Sequence, residues 1–282
     1  MPATYTPIRY PGGKSKLFPL VESIIEKNDL IDCTYAEAYC GGAGLAIRLL
    51  LSGRVSSIVL NDIDPAVFSM WDCIVNHSDD LCRFIESVPL NIDEWKRQKE
   101  TFLSAEHPSA DLGKAAFYLN RTNRSGILRG GPIGGMSQNG NYKIDARFNR
   151  RTLIGKVRAI AERSDDIRIW NEDAVDFVAD ALPGIDNLFA NFDPPYVVKG
   201  PGLYENSYTD ADHKAIAKMM SGCPFPWIVT YDDAPLIREA YKGFDMFSIK
   251  VGYSAARSKI GNEILIASPG IRIPDSLPRV AA

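Results

Sequence analysis

The fold of this chain is decided by residues 188–196, which read LFANFDPPY. Residues 188–190 form an apolar run that predicts a buried strand of an α/β sheet. In such sheets ligands bind beyond the carboxyl ends of the strands, which is where Asp193 falls. Pro194 and Pro195 donate no N–H and hold φ at about −65°, so they stiffen the turn and leave carbonyl groups free to accept hydrogen bonds.

A carboxylate, a free carbonyl and an aromatic face come together in Asp193, Pro194 and Tyr196. This set suits a planar amine that donates two hydrogen bonds, and the exocyclic amino group of adenine is such an amine. The alternative is a turn that closes a core strand, because Asp and Pro are common turn formers.

The composition excludes several classes of protein. With 282 residues the chain can bury a sizeable core as one large domain or as a domain with an insertion. No run of about eighteen apolar residues occurs and the N-terminus is polar, so we expect no membrane span, no signal peptide and a cytoplasmic location. The five cysteines include no Cys-x-x-Cys pair, which favours reduced thiols. We expect no metal.

The net charge of −3 is unevenly distributed. Residues 120–163 contain ten basic and two acidic side chains, so this segment carries +8 and the remainder of the chain −11. A basic segment on an acidic body is typical of a phosphate-binding face. A solvated helix face would explain only the last part of the segment, because residues 121–151 are rich in glycine.

Two glycine-containing turns precede apolar helical patterns. Gly12-Gly13-Lys14-Ser15 is not a phosphate loop, because Ile8 stands where that motif needs glycine, but Lys14 falls at a helix start, where anions bind. Residues 35–39 predict a strand, and residues 40–44, which read CGGAG, predict a turn that lets a ligand approach the backbone. This second turn is equally consistent with a nicotinamide-binding fold.

Two acids follow later predicted strands. Asp62 lies eighteen residues past Gly44, at about the distance at which an acid hydrogen-bonds a ribose diol in nucleotide-binding α/β folds. Asp62 is alternatively the cap of a helix that begins near residues 64–65, and it can do both. Asp173 can receive the amine of an adenine or cap a helix, and the sequence favours neither.

The basic segment contains a hairpin signal. Residues 66–119 predict four helices, and residues 120–148 follow them with many glycines, asparagines and arginines. Asn139-Gly140 between potential strands predicts a β-hairpin that enters a groove and contacts phosphates and base edges. The final residues, from Pro269 onward, are predicted to be a disordered tail.

These motifs resemble a known family. Asp193-Pro194-Pro195-Tyr196 resembles the catalytic motif of S-adenosylmethionine-dependent amino-methyltransferases, in the Asp form usual for adenine-N6 enzymes. An aromatic followed by Gly-Gly-Lys near the N-terminus and the matches at Asn120, Arg121, Gly126 and Arg129 resemble the Dam-type (D12 class) site-specific DNA adenine methyltransferases. Arg124 replaces the family's aromatic and Ser125 its asparagine, so the GATC recognition sequence is not carried over.

The resemblance implies a fold and a set of site residues. The fold is a Rossmann-like S-adenosylmethionine-dependent methyltransferase sheet in residues 1–65 and 166–268, with an inserted, mainly helical target-recognition region in residues 66–165 and a tail in residues 269–282. The implied catalytic residues are Asp193, Pro194 and Tyr196. The implied cofactor-binding residues are Tyr10, Lys14, Glu37, Gly41, Gly44, Asp62, Asp173 and Asp193. The implied DNA-binding residues are Arg121, Arg124, Arg129, Asn139, Lys143 and Arg147.

The implied function is transfer of a methyl group from S-adenosylmethionine to adenine N6 in double-stranded DNA, by base flipping and direct in-line transfer. Methylation of RNA adenine or of cytosine N4 remains an alternative, as does a non-catalytic DNA-binding regulator on the same fold. A nicotinamide oxidoreductase would leave the central motif without a role. A restriction–modification role and a regulatory role both stay open, as does the oligomeric state.

Overall fold

A seven-stranded sheet forms the centre of the protein. The computed structural model describes residues 5–10, 12–197, 208–253 and 259–280. The strands are β1 (Thr34–Glu37), β2 (Ser57–Asn61), β3 (Ile167–Trp170), β4 (Leu188–Phe192), β5 (Trp227–Asp232), β6 (Asp245–Tyr253) and β7 (Lys259–Ala267). Their order across the sheet is β3-β2-β1-β4-β5-β7-β6.

The strand directions confirm the predicted Rossmann-like sheet. Strands β1 to β5 run parallel, while β7 is antiparallel to β5 and β6 is antiparallel to β7. The chain order reverses between β1 and β4, which lie side by side with Glu37 opposite Asn191. Ligands of open α/β sheets bind at such a reversal. Residues 40–44, the glycine turn, follow β1, and Asp193 follows β4. These two segments therefore meet at this point.

Helices cover the sheet. They are α1 (Phe18–Lys27), α2 (Gly44–Leu51), α3 (Pro65–Val75), α4 (Ser78–Ser87), α5 (Ile92–Ser104), α6 (Ala110–Thr122), α7 (Arg150–Ala161), α8 (Ala174–Asp180), α9 (Asp210–Gly222) and α10 (Pro235–Ala240). Helices α3 to α7 lie between β2 and β3, where the sequence predicts an insertion. The domain boundaries themselves stay a prediction. None of the helices in the described ranges combines the length and apolar composition that a bilayer-spanning segment needs.

The predicted β-hairpin around Asn139 is wrong. Between β2 and β3 the chain contains no strand, and Asn123 and Pro132 form only an isolated antiparallel bridge. The side chain of Gln138 binds the backbone here: its Nε2 donates to the Ile133 carbonyl at 2.8 Å, and its Oε1 accepts from the Ile144 N–H at 2.9 Å. Because glycine-rich flanks have low strand propensity, this side chain replaces a second strand as the partner of the backbone.

The prediction of a disordered tail is also wrong for residues 269–280. The Pro278 carbonyl accepts a hydrogen bond from the Ser248 N–H, and the Val280 N–H donates to the Met246 carbonyl, both at 2.9 Å. Strand β6 is the edge of the sheet, and an edge strand presents unpaired backbone groups. The tail supplies hydrogen-bond partners for these groups. The amino-acid composition of the tail does not reveal this pairing.

Candidate active site

One cleft lies beyond the carboxyl ends of β1 and β4. Its lining includes Tyr10, Lys14, Glu37, Gly44 and Asp193, all of which the sequence had proposed as site residues. They come from segments far apart in the chain, and the sheet order brings them together. The central expectation, that Asp193 and the glycine turn share a cleft, is therefore met.

The glycine turn is shaped by close approach of the Tyr10 ring. Gly41 has φ +46°, and a Cβ atom added there would lie 2.7 Å from Tyr10 Cε1. Ala43, at the start of α2, also has a left-handed backbone with φ +40°. The indole N–H of Trp71 on α3 donates to the Gly41 carbonyl at 2.8 Å, so the inserted helices support the turn. Left-handed backbone at a non-glycine residue is costly and concentrates at functional sites.

Asp62, which directly follows β2, binds this turn. Its Oδ2 accepts from the Gly41 N–H at 2.8 Å, and its Oδ1 accepts from the Asp64 N–H at 3.0 Å. Burial raises the pKa of Asp62 to about 7, against the opposing effect of these two hydrogen bonds. The expectation that Asp62 caps α3 is wrong, because the cap is Asp64, whose carboxylate accepts from the Ala66 N–H at 2.8 Å.

Asp173 caps α8. Its carboxylate accepts from the Val175 N–H at 2.8 Å, which confirms the capping alternative. Tyr39, a lining residue of the cleft, forms a hydrogen bond with the Tyr208 hydroxyl at 2.9 Å. Burial is the main cause that raises the pKa of both phenols, and the charge of Asp173 raises it further. Asp173 is therefore near the cleft, but its contact with a cofactor adenine stays a prediction.

Asp193 presents one bound and one open carboxylate oxygen. Its Oδ1 accepts from the Thr230 hydroxyl at 2.8 Å and lies 3.1 Å from Lys14 Nζ. Among the described residues nothing donates a hydrogen bond to Oδ2 or to the Pro194 carbonyl. The side chain of Asp193 is 20% exposed and lines the cleft. Two neighbouring acceptors without donors are the arrangement that a primary amine needs.

The ammonium group of Lys14 is held by three side chains of the protein. Its ammonium group donates to the Tyr196 hydroxyl and to Glu263 Oε2, and it forms ion pairs with Glu263 and Asp193 at 3.1 Å each. Burial lowers the pKa of Lys14, but the two carboxylates outweigh it and raise that pKa overall. An ammonium group has three donors, and these contacts use all three. The contact of Lys14 with a cofactor carboxylate stays a prediction.

Comparison with known proteins identifies the family. The sequence model of the D12 class N6 adenine-specific DNA methyltransferase family matches residues 10–255.

The chain belongs to this family.

A curated relative, the modification methylase LlaI of Lactococcus lactis subsp. lactis, is 25% identical over 209 residues. The match covers 70% of this chain but only 30% of that protein. An rRNA methyltransferase from Streptomyces viridochromogenes has a similar structure, with a TM-score of 0.39, 14% identity and coverage of 92% and 85% of the two chains. For a Pyrococcus horikoshii protein provisionally assigned as an RNA methyltransferase, the TM-score is 0.44 and the identity 10%, with coverage of 95% of this chain and 88% of that chain. At these TM-scores the similarity decides nothing about function.

The basic segment, residues 120–163, is joined to the cleft through Asn120. The side chain of Asn120 accepts from the Arg9 N–H at 2.8 Å and donates to the Arg9 carbonyl at 2.7 Å. Arg9 directly precedes Tyr10, which lines the cleft. The side chain of Asn120 therefore holds the backbone of the residue that precedes Tyr10.

Arg121 differs from the other predicted DNA-binding residues. It is half-buried, and its guanidinium donates to the carbonyl groups of Pro7, at 3.2 Å, and Arg147, at 2.9 Å. Burial, with help from the nearby Arg9 and Arg147, lowers the pKa of Arg121 to about 10. Arg121 therefore fixes the segment in place. The remaining predicted contacts are exposed, and their DNA-binding role stays a prediction: Arg124, Arg129, Asn139, Lys143 and Arg147.

Sequence reasoning missed Glu263 and Asn191. Glu263 lies on β7 and accepts hydrogen bonds from Lys14 and Tyr196. Asn191 lines the cleft and its Oδ1 is buried with no hydrogen-bond partner in the described part of the chain. Polar side chains within otherwise apolar strands were the available signal, because a buried strand face normally excludes them.

Glu37 gives a prediction on the pH dependence of stability. Burial raises its pKa to about 8, against the hydrogen bond from the Ala46 N–H and with help from the Asp193 carboxylate. Between the unfolded value of about 4.5 and about 8 the folded protein binds a proton that the unfolded chain does not, so stability is lost as pH rises through this window. We expect Glu37→Gln to remove about 2–3 kcal/mol of the difference in unfolding free energy between pH 6 and pH 8.5.

Denaturant unfolding of both proteins without cofactor, at these two pH values, measures this effect. A Glu22→Gln variant, changed at a helix-surface acid, serves as the control and should keep the wild-type pH slope. Identical slopes for wild type and Glu37→Gln would show that Glu37 is ionised in the folded protein.

Proposed function

We propose that this D12 methyltransferase transfers a methyl group from S-adenosylmethionine to the N6 amino group of adenine in double-stranded DNA, with the target base flipped out of the helix. The observation that carries the proposal is Asp193 on the lining of the cleft that also contains the glycine turn, with no donor to its Oδ2 among the described residues. The carbonyl of Pro194, the next residue, is the proposed second acceptor for the same amino group.

The glycine turn and Asp62 fit the proposed cofactor. A Cβ at Gly41 would collide with the Tyr10 ring, so glycine is needed there for this ring to pack on the turn beside the proposed cofactor. Asp62 keeps acceptor capacity on both oxygens beyond its two backbone bonds, as a ribose diol requires. When bound, S-adenosylmethionine supplies an electrophilic methyl group. Asp62 would hold the ribose, and Tyr10 would cover the cofactor from the N-terminal side.

The protein's part in the chemistry is to prepare the amine. The lone pair of an adenine amino group is delocalised into the ring, so the amine is a poor nucleophile. Hydrogen bonds to Asp193 and to the Pro194 carbonyl draw the nitrogen toward sp³ geometry and aim its lone pair. Proximity and orientation then provide the main rate enhancement, and no covalent enzyme intermediate is needed.

Flipping the base costs a few kcal/mol, which contacts outside the helix have to offset. Stacking on an aromatic ring contributes about 1–3 kcal/mol, and Tyr196 is the proposed partner. Its ring is 7% exposed and its hydroxyl is anchored on Glu263 at 2.8 Å, so the ring is held rigidly. The basic segment, joined to the cleft through Asn120 and Arg9, supports a duplex positioned beside this ring.

A substrate panel with labelled cofactor tests the proposal. The protein is incubated with duplex DNA, the same sequences single-stranded, and matching RNA, each at several salt concentrations. We expect label in duplex DNA and at least tenfold less in RNA. Transfer to RNA in preference to DNA would contradict the proposed substrate, and DNA binding with no transfer to any member would favour a non-catalytic regulator.

Asp62→Asn is expected to weaken cofactor binding about tenfold or more. A hydrogen bond to a charged acceptor contributes about 1.5–3 kcal/mol, and the amide loses that charge. Asp62 also holds Gly41, so the turn that approaches the cofactor loosens as well. Isothermal titration of the cofactor measures the dissociation constant.

Asp64→Asn is the matched control for this experiment. It removes a carboxylate two residues away that caps α3 and makes no hydrogen bond to the glycine turn, so it should leave the cofactor dissociation constant unchanged. Asn is itself a good helix cap, so the cost in stability should be small. Equal cofactor affinity in Asp62→Asn and wild type would rule out the assigned ribose contact.

A further inference from the structure

Glu263 is a buried acid next to the proposed catalytic groups. Its side chain is 0% exposed, and its strand β7 pairs it with Asp232 of β5. Oε2 accepts from the Tyr196 hydroxyl at 2.8 Å and from Lys14 Nζ at 3.1 Å. Oε1 has no hydrogen-bond partner among the described residues. A buried carboxylate with one orphaned oxygen is unfavourable for folding, which directs attention to a functional reason for it.

Glu263 and Asp193 share one lysine. Lys14 Nζ lies 3.1 Å from Asp193 Oδ1 and 3.1 Å from Glu263 Oε2. Two carboxylates and one ammonium group leave this cluster with one net negative charge when the acids are ionised. Without Glu263, the ammonium group would pair with Asp193 alone and neutralise it. A carboxylate neutralised in this way attracts an amine and its developing positive charge less strongly.

We infer that Glu263 is a positioning residue for methyl transfer. By sharing Lys14 it preserves the negative charge of Asp193 toward the target amine, and by accepting from Tyr196 it holds that ring in place. The inference rests on the proposed function. In the transfer the N6–methyl bond forms as the sulfur–methyl bond breaks, so positive charge moves onto the amine nitrogen, which then releases one proton to the Asp193 carboxylate. The net negative charge of the cluster stabilises the cation at this stage.

Glu263→Gln tests the role of the charge, because it keeps the shape and one acceptor oxygen for Tyr196. The measurement is the single-turnover methyl-transfer rate at saturating duplex DNA and cofactor, together with the dissociation constants of both. We expect the rate to fall about 10–100-fold, the usual effect of removing a group that orients a functional residue. Both dissociation constants should stay within about twofold, since the Glu263 side chain is fully buried. A wild-type rate in Glu263→Gln overturns the inference.

Two further variants separate charge from packing. Ile264→Val changes the next residue of β7, also buried, and should lower the melting temperature without slowing transfer. Glu263→Asp keeps the charge but moves it back by one methylene group, so its rate should lie between those of wild type and Glu263→Gln. Should Glu263→Gln not fold, Glu263→Asp carries the test, and an unchanged rate in that variant overturns the inference.

A double-mutant cycle with Tyr196→Phe gives a readout that a merely structural role would not move. Tyr196→Phe removes the hydroxyl that bridges Lys14 and Glu263. If the three groups act as one unit, the double variant should be much faster than the product of the two single effects implies, whereas additive losses contradict coupling. A wild-type protein that methylates no DNA would refute the proposed function, while an active wild type with a full-rate Glu263→Gln variant refutes only the role of Glu263.

Discussion

Replacing Asp193 with alanine is expected to lower the rate of methyl transfer at least about a thousandfold while cofactor binding survives. One lost electrostatic contact to the reacting group costs about 10²–10³ in rate, and Asp193→Ala also lets the amine rotate away from the methyl donor. The cofactor contacts assigned to Asp62 and the glycine turn remain in place. The measurement is single-turnover transfer, combined with the shift in melting temperature that the cofactor produces.

Lys14 makes the comparison with Asp193→Asn informative. In Asp193→Ala the ammonium group keeps its bonds to Tyr196 and Glu263, so the variant should fold. The amide of Asp193→Asn can still accept from Thr230 but carries no charge, and we expect it to be nearly as slow. Asp233→Asn, at an exposed acid beyond β5, is the control that should keep full activity. Substantial transfer by Asp193→Ala would remove the acid from the mechanism.

Exchanging Arg124 and Arg147 together for glutamate is expected to weaken duplex binding at least about a hundredfold at ~0.1 M salt. Both side chains are exposed on the basic segment, and Arg121 holds the segment through the Arg147 carbonyl, which the exchange leaves intact. If each arginine contacts one phosphate, the slope of log K against log salt should fall by about 2. Fluorescence anisotropy with a labelled duplex over a salt series measures both quantities.

The control for this exchange has the same change in net charge at another place. Lys218 on α9 and Lys242 after α10 are exposed and lie toward the carboxyl ends of their helices, away from the cleft at the carboxyl ends of the parallel strands. The double exchange of these lysines should leave the salt slope unchanged. Equal losses in the two double variants would mean that overall charge, and not the basic segment, governs DNA binding.

Most of the fold could be predicted from periodicity and turn chemistry. The apolar run at residues 188–190, predicted as a buried strand, lies in β4, and helices α3 to α6 occur where the apolar spacing of residues 66–119 predicted four helices. Both signals are local, because a buried strand or an amphipathic helix is written in consecutive residues. The resemblance implied a Rossmann-like sheet, but the order of its strands was not predicted, since pairing between distant strands leaves no local signal.

The details of the site depend on contacts that are distant in the chain. Lys14 and Glu263 are 249 residues apart and share one hydrogen bond, so neither predicts the other from its neighbours. Arg121 was predicted as a DNA contact from the basic segment and from its match to the family motif, but its half-buried guanidinium holds carbonyl groups of Pro7 and Arg147. A charge pattern identifies a basic surface, but only the packing shows which charges remain accessible.

The most direct test of the central claim is the identity of the methylated base. Unmethylated duplex DNA is incubated with the wild-type protein and isotopically labelled S-adenosylmethionine. The DNA is then digested to nucleosides, which are separated and identified by mass spectrometry, with Asp193→Ala as the negative control. The account predicts label in N6-methyladenine with wild-type protein and none with Asp193→Ala. Label in a methylated cytosine, or equal labelling by the two proteins, would contradict it.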